Sequence, residues 1–115
     1  MSKPLSYKYT GTKGHIADVA ETLPKKGKSL LKNGWEDISR PEQAALGHYT
    51  YREKSTGLRV RFDEAKPEKG GFSGKDHYHI LNPDAHNSRD MYLDRFGNPV
   101  KKNSKASHII PREDY

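Results

Sequence analysis

The sequence has no cysteine, so it forms no disulfide and offers no thiolate as nucleophile or metal ligand. That excludes the cysteine-ligated zinc modules and leaves the redox compartment open. A chain without disulfides can also be threaded through an envelope without reduction. Long apolar runs are missing as well. None approaches the ~20 residues of a membrane span, and nothing near Met1 joins a charged start to an apolar stretch as a signal peptide does. The chain is therefore expected to act in solution. Apolar residues are scarce, at 31% of 115 and no more numerous than charged ones, which is near the polar limit for a chain that folds. Internal repeats are absent. The large apolar surfaces come from seven Tyr, three Phe and the single Trp35, enough for one modest core in a single small domain spanning residues 1–115.

Acidic residues are in the minority, 15 against 21 Lys and Arg, for a net charge of +6. The surplus is uneven: residues 1–33 carry seven Lys and two acids, 34–65 carry five basic and six acidic groups, and 66–115 nine and seven. A basic surface of this kind favours a polyanion such as RNA or DNA through phosphate contact and counterion release.

Residues 1–14 are polar and Gly-rich and read as an N-terminal arm with room for a short tyrosine-anchored strand. Residues 15–47 read as a helical part. In HIADVAETL, Ile16, Val19, Ala20 and Leu23 fall at i, i+3, i+4 and i+7, an amphipathic stripe that Pro24 ends. Leu30 and Leu31 offer another turn or two, and a third short helix is expected after Ser39, with Pro41 in its first turn and Gly47 past its end. From His48 the period changes to two, and residues 48–111 are expected to form an antiparallel sheet. HYTYRE and GLRVRFDE make a hairpin around Lys54-Ser55-Thr56-Gly57. Residues 64–74 form a Pro/Gly/Lys-rich loop suited to a mobile binding segment. DHYHIL is a strand, DMYLDRFGNPVKK a second hairpin turning at Arg95-Phe96-Gly97-Asn98, and SHIIP a final apolar segment. The layout predicted is α+β, with short helices packed on a twisted antiparallel sheet of about four to five strands.

The chemistry concentrates in GKDHYHILNP. In a strand, His77 and His79 project from one face, Tyr78 and Ile80 from the other. With the apolar pair toward the helices, Tyr49, Tyr51, Leu58, Val60 and Phe62 share the buried side. Thr50, Arg52, Arg59, Arg61 and Asp63 then share the histidine side, which is expected to be the open face of the sheet. RNA cleavage without metal needs a base for the 2′-hydroxyl, an acid for the leaving 5′-oxygen and a cation for the charge gathered on phosphorus. Histidine, with an ordinary pKa of about 6.5, serves either of the first two roles. A plainer account also fits: solvated histidines, and Arg59 and Arg61 paired with Asp63 and Glu53 in a surface network of small energetic value. His15 and His48 lack such context and are read as structural, and His86 as a loop residue. A metal account competes too, because two histidines at i and i+2 can meet one ion, with Asp63, Asp76 or His108 completing the site.

Three blocks in order, GLRVRFD, GKDHYHILNP and YLDRFGNPV running to SHIIP, resemble the C-terminal toxin domains of bacterial polymorphic toxin systems of the Rhs, contact-dependent growth inhibition and LXG types. The resemblance covers about residues 57–111. It implies a ribonuclease of the barnase, colicin and RelE kind, carried as the tail of a larger secreted effector. Such a domain acts on transfer or ribosomal RNA in the cytoplasm of a target bacterium and is held inactive at home by a cognate immunity protein, here expected to be acidic. Some relatives of this kind need elongation factor Tu.

The expected activity is thus that of a metal-independent endoribonuclease without cofactor, monomeric outside the immunity complex. His77 and His79 share base and acid work, Arg61 and Lys75 stabilise the phosphorane, and His108 with Ser107 provide an alternative acid or substrate contact. Arg59, Arg52, Lys69, Lys101 and Lys102 are the expected substrate contacts. The rivals are a metal-dependent DNase of the His-Asn-His type and a non-catalytic RNA-binding module.

Overall fold

The computed structural model describes residues 8–66, 68, 70–87 and 89–111. Helix α1 spans Lys13–Thr22. Thr12 caps it, its hydroxyl accepting the His15 amide proton at 3.0 Å. The predicted stripe is the buried one: Ile16, Val19 and Ala20 point inward, with Leu23 just past the helix end. A 3₁₀ turn, Gly27–Lys32, sends Leu30 into the same core. Gly27 sits there because no side chain fits, since a Cβ would lie 2.8 Å from the Phe62 ring. Strand β1 (Trp35–Asp37) and a single helical turn, α2 (Pro41–Ala44), follow.

The remaining strands are β2 (His48–Glu53), β3 (Arg59–Asp63), β4 (His77–Leu81), β5 (Tyr92–Leu93) and β6 (Pro99–Val100). They form one antiparallel sheet in the order β1-β2-β3-β4-β5-β6, each strand paired with the next. The α+β layout is as predicted, with six strands among the described residues rather than four to five. The additional strand β1 lies inside the stretch expected to be helical, and α1 begins two residues earlier than expected. Three residues are too few to show a period of two, but Trp35 buries its ring while β1 extends the sheet alongside β2. The first hairpin turns at Lys54-Ser55-Thr56-Gly57, where Gly57 takes φ +87°.

The pairing of β3 with β4 puts Val60 opposite Ile80 and Phe62 opposite Tyr78, with Arg61 opposite His79 and Asp63 opposite His77. The first set is buried under α1 and the 3₁₀ turn with Tyr51, Leu58 and Leu93. Tyr78 ties the layers together: its ring lies 5.0 Å from that of Phe62 and its hydroxyl donates to the Pro24 carbonyl at 2.8 Å. The loop after β3 is anchored at both ends by Asp76, which accepts from the Ala65 amide and pairs with Lys26. No helix among the described residues is long and apolar enough to cross a membrane.

The histidine face of the sheet is covered rather than open. β5 pairs only with the end of β4, at Ile80 and Leu81. Along the first half of β4 its place is taken by the returning chain, where Tyr78 and Ile109 exchange both backbone hydrogen bonds at 2.8 Å. Ile109 therefore joins the core on the side of Tyr78, and the adjacent His108 turns to the side of His77 and His79. As a result His77 and His79 are only 4% and 3% exposed, which corrects the expectation of solvated strand histidines.

Candidate functional site

Three imidazoles meet under this cover. Ring centroids are 5.0 Å apart for His77 and His79, 5.0 Å for His77 and His108, and 4.7 Å for His79 and His108. Each ring is oriented by a backbone carbonyl. His77 Nδ1 lies 2.9 Å from the Lys75 carbonyl, His79 Nδ1 2.9 Å from that of Ser107, and His108 Nδ1 2.8 Å from that of Ser104. A carbonyl only accepts, so all three Nδ1 atoms carry their protons, and Nε2 is the atom each ring has left to exchange a proton or meet a ligand.

Asp63 is the charge these groups surround. Its Oδ1 accepts from Arg61 Nε and His48 Nδ1, both at 2.8 Å, and its Oδ2 accepts from Arg61 Nη2 at 2.8 Å. The same Oδ2 lies 3.3 Å from His77 Nε2 and 3.5 Å from His79 Nε2. Burial works to raise the Asp63 pKa, but the contacts from His77, His79 and Arg61 outweigh it and hold the carboxyl far below the usual carboxylate range. Burial likewise opposes the charge on Arg61, and Asp63 more than offsets it, raising the guanidinium pKa. His79 moves the other way. Burial lowers its pKa, with Asp63 opposing and the charge on Arg61 adding to the fall.

Tyr92 closes one side. Its ring stacks on His79 at 4.5 Å, and its hydroxyl accepts from Arg61 Nη1 at 2.9 Å. Burial raises its pKa, so the phenol stays protonated and its own O–H is placed to donate into the cleft that it lines. That cleft is about 240 Å³ and is also lined by His48, Lys66, Lys102 and Asn103. It is smaller than the roughly 300–1,000 Å³ pockets that enclose a drug-sized ligand. A single phosphodiester with its flanking atoms is the size of group it admits.

Of the residues expected in the site, His77, His79, Arg61, His108 and Lys102 line this cleft. Lys75 does not: its side chain is exposed, and it contributes its carbonyl to His77. Ser107 is fully buried, its hydroxyl 2.8 Å from the Ser104 carbonyl and 3.0 Å from that of Lys102. It braces the turn, its carbonyl orients His79, and its hydroxyl lies 3.2 Å from His108 Nδ1 without lining the cleft. Arg52 pairs with Glu36 at 2.6 Å at the other end of the sheet, opposite Arg59, and neither lines the cleft. Lys101 is exposed outside it, and Lys69 lies outside the described residues. Arg61 does pair with Asp63, but in a buried network, whereas Glu53 is engaged by His15 at 2.7 Å.

His48 and Tyr92 were not anticipated as site residues, and Asp63 was not anticipated as the hub. The signal for His48 was present, because the alternation that puts Thr50 and Arg52 on the histidine side includes it. Tyr92 pairs with Leu81, which has the parity of His77 and His79. Set against protein-family models, curated proteins and solved structures, the chain matches none of them.

Proposed function

We propose that this domain is a metal-independent endoribonuclease of the interbacterial toxin type. One observation carries the reading: three imidazoles, each oriented through Nδ1 by a backbone carbonyl, converge with Arg61, Tyr92 and Lys102 on a cleft of phosphodiester size. Acid–base cleavage of RNA needs two proton-transfer groups on one phosphate and cationic or hydrogen-bonding groups for its oxygens. His79, kept neutral by burial, suits the base that takes the 2′-hydroxyl proton on Nε2. His108, the most exposed of the three, suits the acid that returns a proton to the leaving 5′-oxygen. His77 and Asp63 hold the charge between them, while Arg61, Lys102 and the Tyr92 hydroxyl face the phosphate. The motif resemblance and the net charge of +6 favour RNA as the polyanion and an acidic immunity protein as the partner in the producing cell, with action in the cytoplasm of a target bacterium.

The test is direct. Purified protein is incubated with total RNA and with plasmid DNA, in excess EDTA and with added divalent ions, and the ends are mapped. RNA cleavage in EDTA leaving 2′,3′-cyclic phosphate is the expected result. Cleavage of DNA that depends on added divalent ions overturns the reading in favour of a metal nuclease, and binding of RNA without cleavage overturns it in favour of a binding module.

A further inference from the structure

We infer that His77, His79 and His108 form a binding site for one zinc-class divalent cation, with the Asp63 carboxylate beside it. One ligand atom from each histidine lies within 4.8 Å of the other two. The Nδ1 atoms are committed to the carbonyls of Lys75, Ser107 and Ser104, so the converging atoms of the neutral rings are the Nε2 lone pairs. Fixing the tautomer of each ring through the nitrogen remote from the ion is the arrangement that protein metal sites use to aim histidine ligands.

The position of Asp63 sharpens the point. Its Oδ2, an acceptor, faces His77 Nε2 at 3.3 Å and His79 Nε2 at 3.5 Å. A single dication among the three converging histidine nitrogens has the Asp63 carboxylate close by to balance its charge. Three histidine nitrogens match zinc and its neighbours, whereas magnesium and calcium take all-oxygen shells. Zinc–nitrogen bonds are about 2.0–2.1 Å. Drawing three atoms from the observed spacing to that distance moves each ring inward by roughly 0.8 Å, within the reach of side-chain adjustment.

The ion occupies the same Nε2 atoms that would move protons, so bound metal and RNA cleavage exclude one another. This consequence rests on the ribonuclease reading, and the binding site does not. The chain would then be stabilised and silent with zinc and active once stripped of it.

The experiment uses tag-free protein stripped with EDTA and dialysed, then titrated with zinc chloride by calorimetry and with cobalt chloride by visible absorption. One equivalent of zinc, a rise in Tm and the d–d bands of four-coordinate cobalt are expected, with no response to magnesium chloride. H108A, at a half-buried position, stays folded and loses at least about tenfold in zinc affinity, and H86A, in an exposed loop, binds as the parent does. No cobalt bands and no zinc-dependent Tm shift, or binding undiminished in H108A, overturns the site. RNA cleavage that continues with zinc bound overturns the exclusion and leaves the site standing. Absence of cleavage in both the stripped and the zinc-bound protein overturns the ribonuclease reading alone, because the calorimetric and cobalt readouts do not depend on it.

Discussion

His79 donates its Nδ1–H to the carbonyl of Ser107, 2.9 Å away and 28 residues later in the chain. That bond joins the central strand β4 to the 3₁₀ turn Lys105–Ser107 and fixes which nitrogen of His79 faces the cleft. The exchange of hydrogen bonds between Tyr78 and Ile109 ties the same two segments together through the backbone. The last segment of the described chain is thereby part of the site.

The Ser107 hydroxyl is therefore expected to be structural. Ser107→Ala keeps the carbonyl that orients His79 and removes the contacts to the Ser104 and Lys102 carbonyls and the longer one, 3.2 Å, to His108 Nδ1, at a cost of about 0.5–1.5 kcal/mol. Urea unfolding measures that loss, and RNA cleavage should persist near the parental rate. A folded S107A protein without activity would show that the hydroxyl takes part in the chemistry.

Asp63 should behave differently. It is buried and engaged by Arg61, His48, His77 and His79, so Asp63→Asn removes the one negative charge that these groups share. Breaking a buried pair by neutralising one partner costs about 3–5 kcal/mol, mostly because the other charge is stranded. Equilibrium denaturation should show a drop of that order. Glu53→Gln, which touches the half-exposed His15, should show far less.

The two faces of the sheet were legible because strand periodicity is local. Arg61, Asp63, His77 and His79 could be placed together from alternation alone, and β3 and β4 pair in the register that requires. Their burial was not legible, because the cover comes from His108 and Ile109, whose pairing with Tyr78 is set by the path of an intervening hairpin and turn. Alternation reports which side a residue faces and says nothing of what lies over it. Strand β1 was missed because the end of β2 that it pairs with, Tyr51–Glu53, gives a neighbouring segment no signature of its own. Lys75 and Ser107 were placed in the chemistry by sequence proximity to histidines, yet each is recruited through its carbonyl, which every residue type has.

Proton transfer and packing separate at His108 and Tyr78. His108 is half-buried, and its replacement by Ala should cost little stability while slowing cleavage by about 10²–10⁴-fold. Tyr78 is fully buried against Phe62 and bonded to Pro24, so Tyr78→Ala should lose about 3–5 kcal/mol. The buried His77 and His79 fall between, their Ala variants losing both activity and a measurable part of Tm. A folded H108A protein with parental activity would remove His108 from the acid–base pair.

The alkaline limit of stability should be set in part by Tyr51. Burial, aided by the charge on Asp37, pushes its phenol up to about 12 from the ordinary 10.0, so the unfolded chain loses this proton before the folded one does. The resulting stabilisation is full below about pH 10 and is lost as the pH rises through about 12. Tyr51→Phe keeps the ring that packs beside Gly27 and Phe62 and has no proton to lose. At pH 7 its Tm should lie close to that of the parent. Between pH 10 and 12 its Tm should fall less steeply, the residual slope coming from Tyr9, Tyr49 and Tyr92, whose pKa values are also raised. Thermal scans at matched ionic strength, followed by circular dichroism alongside tyrosinate absorbance, measure both slopes. Identical alkaline slopes for Y51F and the parent would mean that the Tyr51 proton is held no more tightly in the folded chain than in the unfolded one.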